Sequence, residues 1–187
     1  MTKIVLRDVR ISYPKIFVAE PYQAGDEPRY SCVFLAETGG PAEKLVQKTI
    51  KDAAKEKWGA KAAAKLASFE NNPNKYCFSD GNRKPDLPGF ADNWALSAIR
   101  KEKDGAPKVV DRAKNDLKAS DGVIYAGCYV NTTVDIWVQD GTYSGIRCTL
   151  VNVQFVKKGE SFGGSVPATA DDLDDLGYDA DEDEDLL

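Results

Sequence analysis

Histidine does not occur in the 187 residues, and methionine occurs once. Without an imidazole there is no Ser-His-Asp or Cys-His catalysis and no His-ligated metal. Long apolar runs are missing as well, so no transmembrane helix is expected. The opening MTKIVLRDVR alternates charge and hydrophobe and lacks the apolar h-region of a signal peptide. The four cysteines, Cys32, Cys77, Cys128 and Cys148, form no CxxC pair, which argues against a structural zinc site or a thioredoxin-like motif. Cys32, Cys128 and Cys148 sit among β-branched and aromatic residues, where a thiol acts as a small hydrophobe, and free thiols in a cytosolic protein are expected. Neither glycine-rich phosphate loop, GxGxxG or GxxxxGKS/T, is present.

What is present is charge of two signs, kept apart. Ten acidic residues and no basic one lie between Asp171 and Leu187. Residues 1–170 therefore hold 25 basic and 20 acidic side chains, a net of about +5 hidden inside an overall −5. The acidic stretch holds too little apolar surface to offset its ordering entropy, so a disordered tail is expected over 171–187. Its plainest role is that of a solubility appendage. GESFGGSVPATA, residues 159–170, has the composition of a flexible linker, which places the end of the folded body at Lys158.

Within the body, KIVLRDVRISY (3–13) reads as a strand that Pro14 closes or bends, and RYSCVFLA (29–36) as a second. Pro41 suits the first turn of a helix that runs through Val46, Ile50, Ala54 and Trp58 to Gly59, with AKAAAKLASF (60–69) as a continuation. Lys44, Lys48, Lys51 and Lys55 form its opposite stripe, read as a solvated face in preference to a phosphate-binding one. Residues 70–93 are rich in turn signals, with a short strand expected over 75–78. Further strands are expected over 94–103, 108–112, 124–139 and 143–158, with a hairpin turn at Gln139-Asp140-Gly141-Thr142. Strands without βαβ alternation predict a mainly antiparallel barrel or sandwich with one helical insertion.

The strand around residue 130 separates by parity. Cys128, Val130, Thr132, Val134, Ile136 and Val138 form a core face; Tyr129, Asn131, Thr133, Asp135 and Trp137 face outward. Two outward aromatics are either covered by the helical insertion or a platform on which unpaired bases stack. Arg147, Thr149, Val151, Val153 and Phe155 share a parity on the next strand, followed by Lys157 and Lys158.

GVIYAGCYVNTTVDIWVQD (122–140) and TLVNVQFVKKGESFGG (149–164) resemble a family of tailed-bacteriophage proteins, once catalogued as a domain of unknown function and later recognised as single-stranded DNA-binding proteins. SDGNRKPDLPGFADNW (79–94) and VVDR (109–112) match as well, so the resemblance spans residues 1–164. It implies an OB-fold: a mainly β antiparallel barrel (1–158) with a helical insertion, a linker (159–170) and a disordered acidic C-terminal tail (171–187). It further implies sequence-independent binding of single-stranded DNA in phage replication, recombination or repair, in the cytoplasm of the infected bacterial host. Neither a cofactor, a metal nor an enzymatic activity is expected. Stacking is assigned to Tyr129 and Trp137, with Trp94, Tyr13 and Phe155. Phosphate contacts are assigned to Arg10, Lys15, Arg29, Arg83, Lys84, Arg100, Lys101, Arg147, Lys157 and Lys158. The tail tip, Asp181, Glu182, Asp183, Glu184, Asp185, Leu186 and Leu187, is the expected seat for phage or host replication and recombination proteins. Relatives often end in an aromatic residue where this chain ends in two leucines. Self-association is left open.

Two alternatives belong to other classes. An acidic-tailed adaptor would bind proteins and never DNA. A metal-dependent nuclease would draw on Asp80, Asp86, Asp92, Asp111 or Asp135, although aspartates in turns more often cap local backbone.

Overall fold

The computed structural model describes residues 2–163. The strands are β1 (Thr2–Glu20), β2 (Arg29–Glu37), β3 (Phe78–Asp80), β4 (Asn93–Lys101), β5 (Lys108–Val110), β6 (Tyr129–Gln139) and β7 (Gly145–Lys157). The two helices, α1 (Pro41–Trp58) and α2 (Ala62–Phe69), lie between β2 and β3. The sheet order is β3-β4-β2-β1-β6-β7-β5, and a parallel pairing of β4 with β7 closes β1, β2, β4, β7 and β6 into a five-stranded barrel. All other pairings within the barrel wall are antiparallel. Closure leaves no free edge in the wall, and this is the expected OB-type barrel with a helical insertion.

The core is the barrel interior. Leu6, Ile11, Phe34, Leu96, Val130, Val134, Ile136, Ile146 and Leu150 are completely or almost completely buried there. Each such side chain contributes roughly 1.5–3 kcal/mol by leaving water. Val46, Ile50 and Ala54 of α1 join the same cluster or are buried beside it, so the helix plugs the barrel with its apolar stripe. Gly40 caps α1 with no side-chain bond of its own, and the Glu43 carboxylate reaches back to accept from the Gly39 N–H. Cys32, Cys128 and Cys148 are buried and Cys77 partly so, and all four are free thiols. Burial pushes the Cys77 thiol up to about 12 and the other three upward too, which keeps them protonated and unreactive.

One local expectation is resolved and two need correction. Of the two roles open to Pro14, bending holds and closing does not: the register steps from Ser12↔Val33 to Lys15↔Ser31, so Tyr13 and Pro14 together oppose Cys32 as a bulge and the strand runs on to Glu20. A bulge also absorbs the N–H that proline lacks. The strand expected from residue 124 starts at Tyr129, because Gly127 turns the chain at φ +111°. The short strand expected over 75–78 forms at Phe78–Asp80, with Tyr76 bridged singly to Ile146.

The β7 face differs as well. Thr133 pairs with Asn152 and Val134 with Leu150, so Val151 is an extra residue and the parity flips there. Val153 is fully buried, and Asn152 and Gln154, opposite Thr133 and Asn131, take its place on the outer face.

Candidate nucleic-acid interface

The outer face of β2 and β4 carries an open groove of about 650 Å³. Val33, Ala95 and Ser97 form its floor, and aromatic rings from separate segments stand around it: Tyr13, Tyr22, Tyr76 and Phe90. Tyr13 is held by the β1 bulge at φ +49°, a left-handed backbone that a bulky residue seldom adopts. Half its surface is exposed, 51 %, and its ring meets Phe90 edge-on at 6.5 Å. Tyr22 stands in the loop between β1 and β2, 74 % exposed, with the Arg29 guanidinium 5.0 Å over its ring. Burial pushes the Tyr76 hydroxyl up to about 12, so it stays a neutral hydrogen-bonding phenol.

Arg83 and Lys84 line the same groove, both exposed. Neither side chain has an ion-pair or hydrogen-bond partner among the described residues. Asp80 is the acid in the groove, and its carboxylate accepts the Asn82 N–H at 2.9 Å as the cap of a short helical turn. The groove thus offers flat rings and unpaired cations side by side, the combination that holds unpaired bases by stacking and their phosphates by charge.

A second aromatic cluster borders this groove. Residues 159–162, expected to begin a linker, continue along the body. Gly159 exchanges two hydrogen bonds with the Tyr125 hydroxyl, at 2.8 and 3.0 Å, and the Phe162 N–H donates to Ala126 O at 2.9 Å. The Phe162 ring packs against Leu35, Phe90 and Ala95, and the Arg10 guanidinium lies 4.1 Å over it. Two glycines at positive φ make room: a Cβ at Gly89 would fall 2.2 Å from the Phe162 ring, and one at Gly127 would fall 2.1 Å from Glu160 O. The GCYVN, PGFADNW and KKGESFGG motifs therefore meet at one place.

The other expected contacts divide by what already occupies them. Arg147 donates to Gln139 Oε1, Asn74 O and Tyr143 O, and Arg100 to Gly105 O, Asp104 O and Leu150 O, so both guanidinium groups tie loops and strands together. Lys15 is paired with Glu20 at 2.6 Å and Lys101 with Glu27 at 3.1 Å. The Lys101 ammonium holds the Glu27 carboxyl below its ordinary range. Lys157 pairs with Asp8 and lies 4.5 Å over the Tyr129 ring, which Arg10 also approaches at 5.5 Å. Arg10 donates in addition to Gly127 O at 3.0 Å. Lys158 follows at the exposed end of β7. Trp137 is half-buried and donates to Thr149 Oγ1 at 3.1 Å. Trp94 stacks on Phe78 with centroids 5.0 Å apart, and Phe155 packs against the barrel core. The tail residues Asp181, Glu182, Asp183, Glu184, Asp185, Leu186 and Leu187 lie outside the described residues.

Of the expected site, the structure brings Tyr13, Arg83 and Lys84 into one groove, with Arg29 at its rim. Tyr22, Tyr76, Phe90 and Phe162 were missed. Tyr22 did leave a signal: an exposed type of aromatic in an otherwise polar loop between two strands. Phe162 left one too, as a lone ring in a glycine- and serine-rich stretch. Among the described residues no group of three or more acidic or thiol side chains is placed to hold a metal ion.

The model of the single-stranded DNA-binding protein family of Enterobacter phage Enc34 matches residues 2–187. The chain belongs to that family. Putative protein p50 of Acyrthosiphon pisum secondary endosymbiont phage 1 is 37% identical over 189 residues, covering 99% of this chain and 98% of its own. Among solved structures, the Enc34 protein in complex with single-stranded DNA is similar at a TM-score of 0.70 and 26% identity, over 86% of this chain and 89% of that one. The single-stranded DNA-binding protein encoded by bacteriophage T7 shares the fold at a TM-score of 0.53 and 17% identity, over 95% of this chain and 98% of its own. Members of the Enc34 family are binding proteins and not enzymes, which removes the nuclease alternative.

Proposed function

We propose that this protein binds single-stranded DNA without sequence preference, in the groove across β2 and β4, during phage DNA replication, recombination or repair in the infected host. The observation that carries the reading is the pairing of exposed aromatics, Tyr13 and Tyr22, with the unpaired Arg83 and Lys84 on the face of an OB-type barrel. In OB-folds this strand pair and the loop leading into it are the common oligonucleotide surface. Stacking takes any base, because every base has a π-face. The structure of the Enc34 relative with single-stranded DNA supports the ligand class.

The acidic segment Asp171–Leu187 is a polyanion tethered to a basic body. In this reading it competes with DNA for the groove and, once displaced, recruits replication or recombination proteins. Titrating labelled oligo-dT into the full chain tests the binding. Saturable affinity, with log K falling against log salt by about 0.7 per phosphate neutralised, is the expected result. No binding at low salt would leave the adaptor reading. A chain ending at residue 170 should bind more tightly than the full chain at low salt, and the gain should shrink as salt screens both interactions. Equal affinities at the lowest salt would remove the competition.

A further inference from the structure

The groove does not stop at β3. Tyr76, Phe78, Asp80 and Arg83 also line a second cleft of about 610 Å³, whose far wall is the helical insertion. There Gln47 and Lys51 of α1 and Leu66 of α2 face Trp94, whose indole is half-buried and backed by Phe78. We propose that this cleft is a second nucleotide subsite: one base of the same DNA strand stacks on Trp94, and Lys51 holds its phosphate.

The charges and bonds fit one nucleotide better than a run of phosphates. Lys51 is exposed and has no ion-pair partner among the described residues, whereas its neighbour Lys48 is committed to Asp52 at 2.6 Å. Arg83 belongs to both spaces and bridges them. Against these two cations stand Glu70 and Asp80, the latter held by the Asn82 N–H, so the cleft as a whole is close to neutral. Such a cleft suits an apolar base with a single phosphate. The Gln47 amide nitrogen donates to Glu43 Oε1 at 2.7 Å, which turns its carbonyl oxygen over to a ligand as an acceptor. The lysine stripe of α1, read from sequence as a solvated face, thus has one member in a different setting. The helical insertion plugs the barrel with one face and extends the DNA track with another.

This inference rests on the groove reading, and the test separates the two. The full chain is prepared with Trp58→Phe and Trp137→Phe, which leaves Trp94 as the sole tryptophan reporter. Unlabelled oligo-dT of about 15 nucleotides, within the span of an OB groove, is titrated in while a labelled copy reports binding by anisotropy. Quenching of Trp94 that saturates with the anisotropy is the expected result. In the native-tryptophan protein, Lys51→Glu should lower the affinity for the same oligonucleotide several-fold and reduce the salt slope by about 0.7, one phosphate's worth. Binding by anisotropy with an unchanged Trp94 signal would overturn the subsite and leave the groove standing. An unchanged affinity and slope in Lys51→Glu would overturn the role given to that lysine. No binding by the parent protein would overturn the groove reading itself.

Discussion

Arg147, on the β6–β7 face, spends its donors on three acceptors of its own chain, whereas Arg83, beside the β2–β4 groove, has none. The aromatics divide by exposure. Trp137 is hydrogen-bonded and half-buried, and Tyr129 is half-buried beside Arg10 and Lys157, while Tyr13 and Tyr22 stand 51 % and 74 % exposed despite the contacts with Phe90 and Arg29. Both faces carry the residue types that bind nucleic acid. They differ in whether those residues are already in use. A hydrogen bond to a charged group is worth about 1.5–3 kcal/mol, so a cation satisfied by its own protein gains little from a phosphate. Availability, more than composition, separates a framework from a binding surface.

The sharpest way to break the comparison is at Arg147. Arg147→Ala should destabilise the fold by about 2–3 kcal/mol through its lost charged hydrogen bonds, with oligo-dT affinity nearly unchanged. Chemical denaturation and a DNA titration on the same sample read both quantities. A large loss of affinity with the stability intact would exchange the roles of the two faces. Tyr13→Ala is the converse: affinity should fall by about 1–3 kcal/mol while the melting temperature holds, since the exposed ring contributes little to the core. Ala keeps the Cβ that strains a left-handed backbone, so the substitution leaves that cost in place. Arg83→Ala comes last, with a few-fold loss and a salt slope reduced by about 0.7. If Arg83→Ala leaves the slope unchanged, the phosphates run elsewhere.

Much of the fold was legible. Pro41, the Val46-Ile50-Ala54 stripe and Gly59 mark α1 because helix entry, burial and exit each demand a particular residue type. The alternation from Cys128 to Val138 marks β6 because a strand between core and solvent must alternate. The extra residue at Val151 was not legible: a bulge changes pairing without changing composition, so LVNV reads the same with or without it. The groove was legible only in part for a related reason. Tyr13, Tyr22, Tyr76 and Phe90 come from separate segments, and only pairing between distant strands assembles them. Arg147 and Arg100 looked like phosphate contacts because a sequence shows a charge and not the carbonyls that satisfy it. Phe162 was hidden by neighbours whose composition signals a flexible linker, while the glycine that clears space for its ring, Gly89, lies in a distant turn.

The parallel pairing of β4 with β7 has a consequence for how the barrel breathes. The other walls are zipped by extended ladders, but this seam is registered at the single pair Ile99↔Thr149, with Arg100 reaching across it to Leu150 O. The least-supported ladder is also where local opening costs least, and amide exchange there should outpace that of every other barrel strand. DNA lying on β2 and β4 grips one bank of this seam. Its binding should slow that exchange, making the ligand a hoop around the staves as well as a cargo.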